Sequence, residues 1–357
     1  MRMARDRLGR LCHELAVGLA CTFCVAAEAQ MSDEQYELLL GTIHFPTSGN
    51  EAAQAEFELG VLALHSFWYA EARDHFREAQ ELQPDFGMAW WGEAMTWDNA
   101  FQTETDLEET ELLGEEAVAR MDERDQAGLL TWTERERGYA NAVRWRFARN
   151  YSFAERRQAY AESIEQVAQR YPDDDEAAVF TELAVMALPG FDREQPQHVV
   201  DVASRLEEIY ERNREHPGVL HYLIHAYDTA TFARMGLRQA RIYAEIAPAS
   251  SHALHMPSHI FRHLGLWDEV VASNEDAWAA SVAWQERTDR PLHMRDYHAL
   301  DWLLDAYINL GRLDDAAGII DTIEAIETEM ARLGEDSGQF PEVARTLREY
   351  YKSVVGP

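Results

Sequence analysis

Two histidine pairs, His221/His225 and His255/His259, constrain this chain more than any other feature of its sequence. The members of each pair are four residues apart, so on a helix they share one face with Cβ atoms about 5–6 Å apart. The second pair follows the first by 34 residues, the period of a common helix-turn-helix repeat. Stacked repeats bring equivalent positions side by side. We therefore predict one four-histidine patch, in which His225 and His259 are close enough to share an ion.

Other polar residues fall in register with these pairs. Asp228 continues the helical face of the first pair, and Pro217 suits a first helical turn, which places His216 at the helix cap. His252 lies on the face of the second pair. Pro257 interrupts that second helix, so it predicts a late start or a kink there.

A third helix extends the register. Aligning the Leu-Gly turns at 264 and 310 gives an offset of 46, which places His298 under His252 and Asp301 under His255. The first helix of each pair lines the concave face of such arrays, so the polar cluster should point into the groove. The predicted ligand set is His216, His221, His225, Asp228, His252, His255, His259, His298 and Asp301.

The rest of the sequence has helical periodicity. Residues 51–84 predict a helical hairpin, and residues 341–355 predict a final helix that caps the array. The acidic stretch 103–127 predicts a solvated helix with a connector, and the two prolines and one glycine of 188–199 predict a loop. No segment alternates as a strand does. The fold prediction is an all-α, right-handed α-solenoid of helix-turn-helix repeats with a concave groove, spanning 31–357.

Residues 1–30 differ from the rest of the chain. A basic start precedes an apolar run from Leu15 to Ala27, and small residues follow at 27 and 29. This order predicts a secretory signal peptide and a periplasmic or secreted protein; the alternative is a true start at Met31. All three cysteines lie in this segment, so the mature chain would have no disulfide, thiolate metal site or cysteine nucleophile. They are Cys12, Cys21 and Cys24.

The charge of the chain excludes some partners. The formal net charge is −32, and Lys352 is the only lysine. Such a surface repels nucleic acid and anionic membranes, and no basic stripe overrides it. The apolar run of the leader is too short to span a membrane, and no second apolar run follows it. The expected partner is therefore a small-molecule or peptide ligand in the concave groove.

The histidine motifs also exclude several metal chemistries. Tyr222 and Met256 stand where the glutamate of a zinc-protease HExxH motif would stand. There is no CxxCH motif for covalent haem, and the helical glutamates of a di-iron site are missing. An imidazole-rich, thiol-free site suits divalent zinc or copper, and iron less well. With a carboxylate beside it, such an ion can activate water, so a metal-dependent enzyme is one prediction.

Two alternatives remain open from the sequence. A repeat regenerates residues at its own period, so the histidines can be hydrogen-bonded core residues. Against this, several unpaired imidazoles facing one another are costly to bury, and a metal or an anionic ligand relieves that cost. The competing functional prediction is a metal-free scaffold that binds a peptide or partner protein in its groove.

From Gly41 to Gly311 the chain resembles a group of exported bacterial tetratricopeptide-like proteins. The resemblance implies the solenoid fold and marks the histidine motifs, but it implies no particular reaction. This chain ends soon after its last LGR turn, whereas the relatives continue into further repeats. The matching stretches are Gly41 to Ser48, Leu64 to Ala72, Trp91 to Met95, His216 to Asp228, Ile246 to Phe261 and His298 to Leu303.

Overall fold

A computed structural model of the chain describes residues 39–101, 108–335 and 337–356. The described residues from Leu40 onward belong to one compact unit. The predicted signal peptide, residues 1–30, lies outside the described residues, as does the start of the acidic stretch. None of the helices in the described ranges is long and apolar enough to cross a membrane.

The described residues fold into α-helices joined by short turns, with no β-strand among them. The predicted all-α solenoid of helix-turn-helix repeats is therefore confirmed. The helices are α1 (Glu51–His65), α2 (Tyr69–Leu82), α3 (Gly87–Met95), α4 (Glu108–Gln126), α5 (Glu134–Arg146), α6 (Phe153–Arg170), α7 (Asp175–Met186), α8 (Pro196–Arg212), α9 (Pro217–Tyr227), α10 (Ala233–Ile246), α11 (Ser251–His255), α12 (Pro257–His263), α13 (Trp267–Thr288), α14 (Tyr297–Asn309), α15 (Leu313–Leu333) and α16 (Phe340–Val355).

Helices that are consecutive in the chain pack against each other as hairpins. The hairpin predicted over 51–84 is formed by α1 and α2, and α9 packs on α10 in the same way. Capping residues fix several helix starts. Thr133 and Glu136 form a capping box at α5, in which each side chain accepts a hydrogen bond from the backbone N–H of the other residue. The predicted loop at 188–199 is shorter than expected, because Pro196 already occupies the first turn of α8.

Helix α9 lies at the centre of the packing around the histidines. All of its residues from Pro217 to Tyr227 are buried, and it packs against α1, α7, α8, α10 and α12. The next layer is interrupted. Pro257 begins a new helix, so the segment that holds the second histidine pair consists of two short helices, α11 and α12. The predicted break at this proline is confirmed.

Close approach of the first three helices depends on glycine. The buried ring of Phe76 on α2 packs against Gly60 of α1 and Gly92 of α3. An ideal Cβ added at Gly92 would lie 2.3 Å from a carbon of the Phe76 ring. The aromatic ring fills the space that a methyl group would need, so this junction is close-packed.

The glycine contact generates a stability prediction. Gly92→Ala should lower the free energy of unfolding by about 1–3 kcal/mol, because the methyl group overpacks the junction at Phe76. Gly318→Ala is the matched control, since Gly318 is an exposed helical glycine with no atom near its Cβ position. That change should stabilise the protein by up to about 1 kcal/mol through helix propensity. Urea unfolding measures both, and equal effects of the two changes would contradict the packing account.

Candidate metal centre

Six of the predicted ligands meet in two adjacent groups of three histidines. Helix α9 supplies two of them, α11 supplies two, and α12 and α14 supply one each. Within each group, one ring nitrogen of every histidine lies within 4.8 Å of those of the others. The first triad is His221, His225 and His252, and the second triad is His255, His259 and His298.

The two triads form one continuous cluster of imidazoles. Neighbouring ring centroids around a closed circuit are 4.7–6.1 Å apart. The ring of His298 lies outside the circuit, 4.7 Å from that of His255. The order around the circuit is His221, His225, His259, His255 and His252.

Hydrogen bonds at Nδ1 determine the tautomers of the pair His255 and His259. The Nδ1 of His255 donates to Oδ1 of Asn274 over 2.7 Å. The orientation of that amide is consistent with this, because its Nδ2 donates to the carbonyl of Val270. The Nδ1 of His259 donates to a carboxylate oxygen of Asp228 over 2.9 Å. In the neutral rings the protons are therefore on Nδ1, and both Nε2 atoms carry lone pairs.

These two Nε2 atoms, of His255 and His259, lie 3.1 Å apart. Two acceptors at this distance repel each other unless something positive lies between them. Two nitrogens that each bind one tetrahedral metal ion at about 2.0–2.1 Å are themselves about 3.3 Å apart. The observed separation is close to that of two ligands on one ion.

In the first triad, the tautomer of one histidine is fixed in the same way. His221 donates from Nδ1 to the backbone carbonyl of His65 over 2.6 Å, which leaves its Nε2 as an acceptor. That atom faces Nε2 of His252 at 3.1 Å. The Nε2 of His225 is buried without a hydrogen-bond partner among the residues that the structure describes. Two nitrogens of this triad are thus also available as ligands.

Aromatic side chains enclose the cluster. The ring of Phe67 lies 4.4 Å from that of His221, and the ring of Phe101 lies 4.3 Å from that of His225. Trp302 covers the second triad, with its centroid 4.4 Å from that of His259. This wall lowers the local dielectric and strengthens every electrostatic interaction inside it.

Burial keeps most of the cluster uncharged. Removal from water lowers the pKa of His221 to about 3, because the imidazolium form loses its hydration. The same cause, joined by repulsion between neighbouring imidazoles, lowers the pKa values of His225, His252 and His255 well below the usual range. Neutral imidazole is the form that binds a metal ion, so these side chains are already in the ligand state near pH 7.

Asp228 supports the cluster from behind. It follows the last residue of α9 as the C-cap residue, rather than lying inside the helix as the sequence predicted. Its two carboxylate oxygens accept from His259 and from His263. Burial favours the neutral carboxyl, but the hydrogen bond that His259 donates and the nearby guanidinium of Arg193 act against it, and the pKa of Asp228 is lowered. An ionised carboxylate behind a ligand histidine orients the ring and raises its basicity.

Three of the nine predicted ligands lie outside both triads: Asp228, described above, His216 and Asp301. His216 belongs to a separate buried cluster, where it and His65 donate from Nε2 to Glu176. The Nδ1 of His216 accepts from the backbone N–H of Val219, and the Nδ1 of His65 accepts from the hydroxyl of Tyr222. All four ring nitrogens are thus hydrogen-bonded. Asp301 is half-buried near His298, and burial raises its pKa.

The grouping differs from the predicted single patch in two ways. His225 and His259 lie in different triads, with ring centroids 6.1 Å apart. His298 contacts His255 rather than His252. The reason is the break at Pro257, which ends α11 at His255 and shifts the second pair relative to an unbroken helix.

Several contributing residues were not predicted from the sequence. Asn274 and Trp302 lie on helices α13 and α14; Trp302 follows His298 by four residues and shares its helical face, whereas no pattern marks Asn274. His65 and Phe67 stand within the motif Leu64 to Ala72 that carried the family resemblance. That motif was the one available signal for the first-triad contacts.

A cleft opens beside the cluster. Its volume is about 670 Å³, and its wall includes Phe101 and Asp228, which both contact cluster histidines. Arg193 also lines it, with its guanidinium 5.0 Å from the centroid of Phe101. A cleft of this size is in the range that holds a small molecule.

No protein-family model matches the sequence, and no curated protein does. Among solved structures, the chain is similar to a Rap protein complexed with competence and sporulation factor, at 13% identity over 86% of this chain and 83% of that one, with a TM-score of 0.45. It is also similar to yeast Tom70, at 11% identity over 86% of this chain and 58% of that one, with a TM-score of 0.43. The chain thus spans little more than half of Tom70. These likenesses concern the helical architecture only.

Acidification should destabilise the metal-free protein through His221. The pKa of this side chain is about 3 in the folded state and about 6.5 in an unfolded chain. Between these values the unfolded chain binds one more proton, so stability is full above pH about 6.5 and is lost as the pH falls toward about 3. From pH about 7.5 to about 5, the wild type should lose about 2 kcal/mol more unfolding free energy than His221→Gln.

Urea unfolding in the presence of a chelator measures this difference. His44 is exposed, so a His44→Gln variant should lose as much stability on acidification as the wild type. If His221→Gln loses as much unfolding free energy on acidification as the wild type does, His221 is not buried in its neutral form.

Proposed function

We propose that this protein is a metal-binding helical-repeat protein whose solenoid holds a transition-metal ion between imidazoles. The observation that carries the proposal is the pair of facing acceptors on His255 and His259, 3.1 Å apart with both protons held at Nδ1. A bound cation converts this repulsion into two coordinate bonds. His298 completes a three-histidine set.

The donor set suits zinc or copper. Three imidazoles without a thiolate or a direct carboxylate ligand fit both metals, and they leave a fourth tetrahedral position open. The cleft at Phe101 and Asp228 can hold a small molecule near the cluster, although its wall includes none of the six histidines. The open fourth position supports a metal-dependent enzyme acting on a small molecule, because the ion can polarise a bound group or lower the pKa of bound water.

We also propose that the protein is exported. The support is the order of basic and apolar residues in 1–30, followed by small residues at the predicted cleavage site. The stretches that resemble exported tetratricopeptide-like proteins also support export, and they support membership of that group.

The first test replaces one ligand. His259→Gln should abolish stabilisation by added zinc or copper while leaving the metal-free stability nearly unchanged. The glutamine amide can donate to Nε2 of His255 and removes the lone-pair repulsion, which offsets the loss of the hydrogen bond from His259 to Asp228. In the wild type, metal at a hundredfold excess over its dissociation constant should add about 2.7 kcal/mol of unfolding free energy. Thermal melts with metal and with chelator measure both quantities.

His44→Gln serves as the matched control and should melt as the wild type does in both conditions. If His259→Gln costs about 1–3 kcal/mol with and without metal, the histidine is a core residue. If metal and chelator both leave the wild-type melt unchanged, the result favours the alternative function, a metal-free scaffold for a peptide or partner protein.

The second test removes the charge behind a ligand. Asp228→Asn should weaken metal binding about 10–100-fold, because a neutral amide supports His259 less well than a carboxylate does. Asp301→Asn is the control, since Asp301 belongs to neither triad, and it should change the affinity much less. Competition titration with a chromophoric chelator measures both constants. If Asp301→Asn weakens metal binding more than Asp228→Asn does, Asp301 rather than Asp228 is the supporting carboxylate.

A further inference from the structure

The first triad has the features of a metal site independently of the second triad. The Nε2 of His221 is an acceptor because its Nδ1 donates to a backbone carbonyl. The Nε2 of His225 is buried without a hydrogen-bond partner in the described part of the chain. A buried imidazole nitrogen with no partner is rare, since leaving such a group unpaired is costly. His252 supplies the third nitrogen, within the 4.8 Å limit that holds for the whole triad.

The two triads are close enough to form one centre. Ring centroids are 6.1 Å apart between His225 and His259, and 6.0 Å apart between His252 and His255. Each of these contacts joins a histidine of one triad to a histidine of the other. Two ions bound within adjoining ligand sets can act on one small molecule between them, as paired metal ions do in two-metal sites.

The charges around the cluster limit which ions can be paired. All six ligands are imidazoles, so no ligand neutralises an ion directly. Asp228 is hydrogen-bonded to His259 and balances one charge. The guanidinium of Arg193 adds positive charge near His225. Repulsion grows with the product of the two charges, so a pair of divalent ions repels four times as strongly as a pair of monovalent ions at the same distance.

We propose that the six histidines hold a pair of copper ions, one in each triad, and that the pair is bound in the monovalent state. This inference deepens the proposed metal-binding function and rests on it. Copper is the metal suited to imidazole ligands that is also stable with a single charge. The enclosing rings of Phe67, Phe101 and Trp302 favour the lower charge, because a buried ion loses hydration in proportion to the square of its charge.

The stoichiometry of copper(I) binding tests the pair. Metal-free protein is loaded without oxygen with a copper(I) salt and is then titrated with bathocuproine disulfonate, whose copper(I) complex is coloured. The wild type should bind two copper(I) ions per chain. His252→Ala, in the first triad, and His298→Ala, in the second, should each bind one. His44→Ala, at an exposed histidine, should bind two.

The outcomes separate this inference from the function on which it rests. One copper(I) ion per wild-type chain would overturn the pair and leave the metal-binding proposal standing, whereas none would overturn both. If His252→Ala unfolds, His252→Gln replaces it, with circular dichroism as the check on folding. A parallel zinc titration should reach no more than one tight ion per chain. Two tight zinc ions would overturn the monovalent assignment.

Discussion

The candidate site depends on the hydrogen bonds that fix the Nδ1 protons of its histidines. A free histidine can place its proton on either nitrogen, and a cluster of free rings could settle into ordinary imidazole-to-imidazole hydrogen bonds. Here a backbone carbonyl, an amide oxygen and a carboxylate each accept from one Nδ1. Every ring so held turns its acceptor nitrogen inward. The acceptors come from α1, α13 and the end of α9, so elements far apart in the chain must pack together before the tautomers are set.

The end of α1 shows how the fold supplies one of these acceptors. His65 is the last residue of that helix, and the last carbonyls of a helix lack intrahelical partners. Its carbonyl is therefore free to accept from His221, while its side chain bonds to Glu176 and Tyr222. One residue thus links the first hairpin to α7 and α9. In the His65–Glu176–His216 cluster every ring nitrogen is hydrogen-bonded, whereas Nε2 of His225 in the neighbouring first triad has no partner among the described residues.

Much of the fold was predictable from the sequence, and the site only in part. Helical periodicity and proline positions predicted the hairpins, because those signals are local. The 34-residue spacing predicted that the two histidine pairs meet, and they do. Their division into triads was not predictable, because Pro257 splits α11 from α12 and shifts the register between layers. Trp302 shares a helical face with His298, which the spacing shows, but the role of Asn274 depends on a tertiary contact that no spacing within the chain reveals.

Phe67 links the stability of the chain to the enclosure of the first triad. Its backbone has a φ of 52°, the left-handed region that a bulky side chain rarely adopts. A glycine would fit this turn with less strain, but the first triad would then lose the ring beside His221. Such strain costs about 1–3 kcal/mol and persists where the surrounding structure enforces it. A glycine in this turn between α1 and α2 would therefore relieve backbone strain and at the same time uncover one side of the first triad.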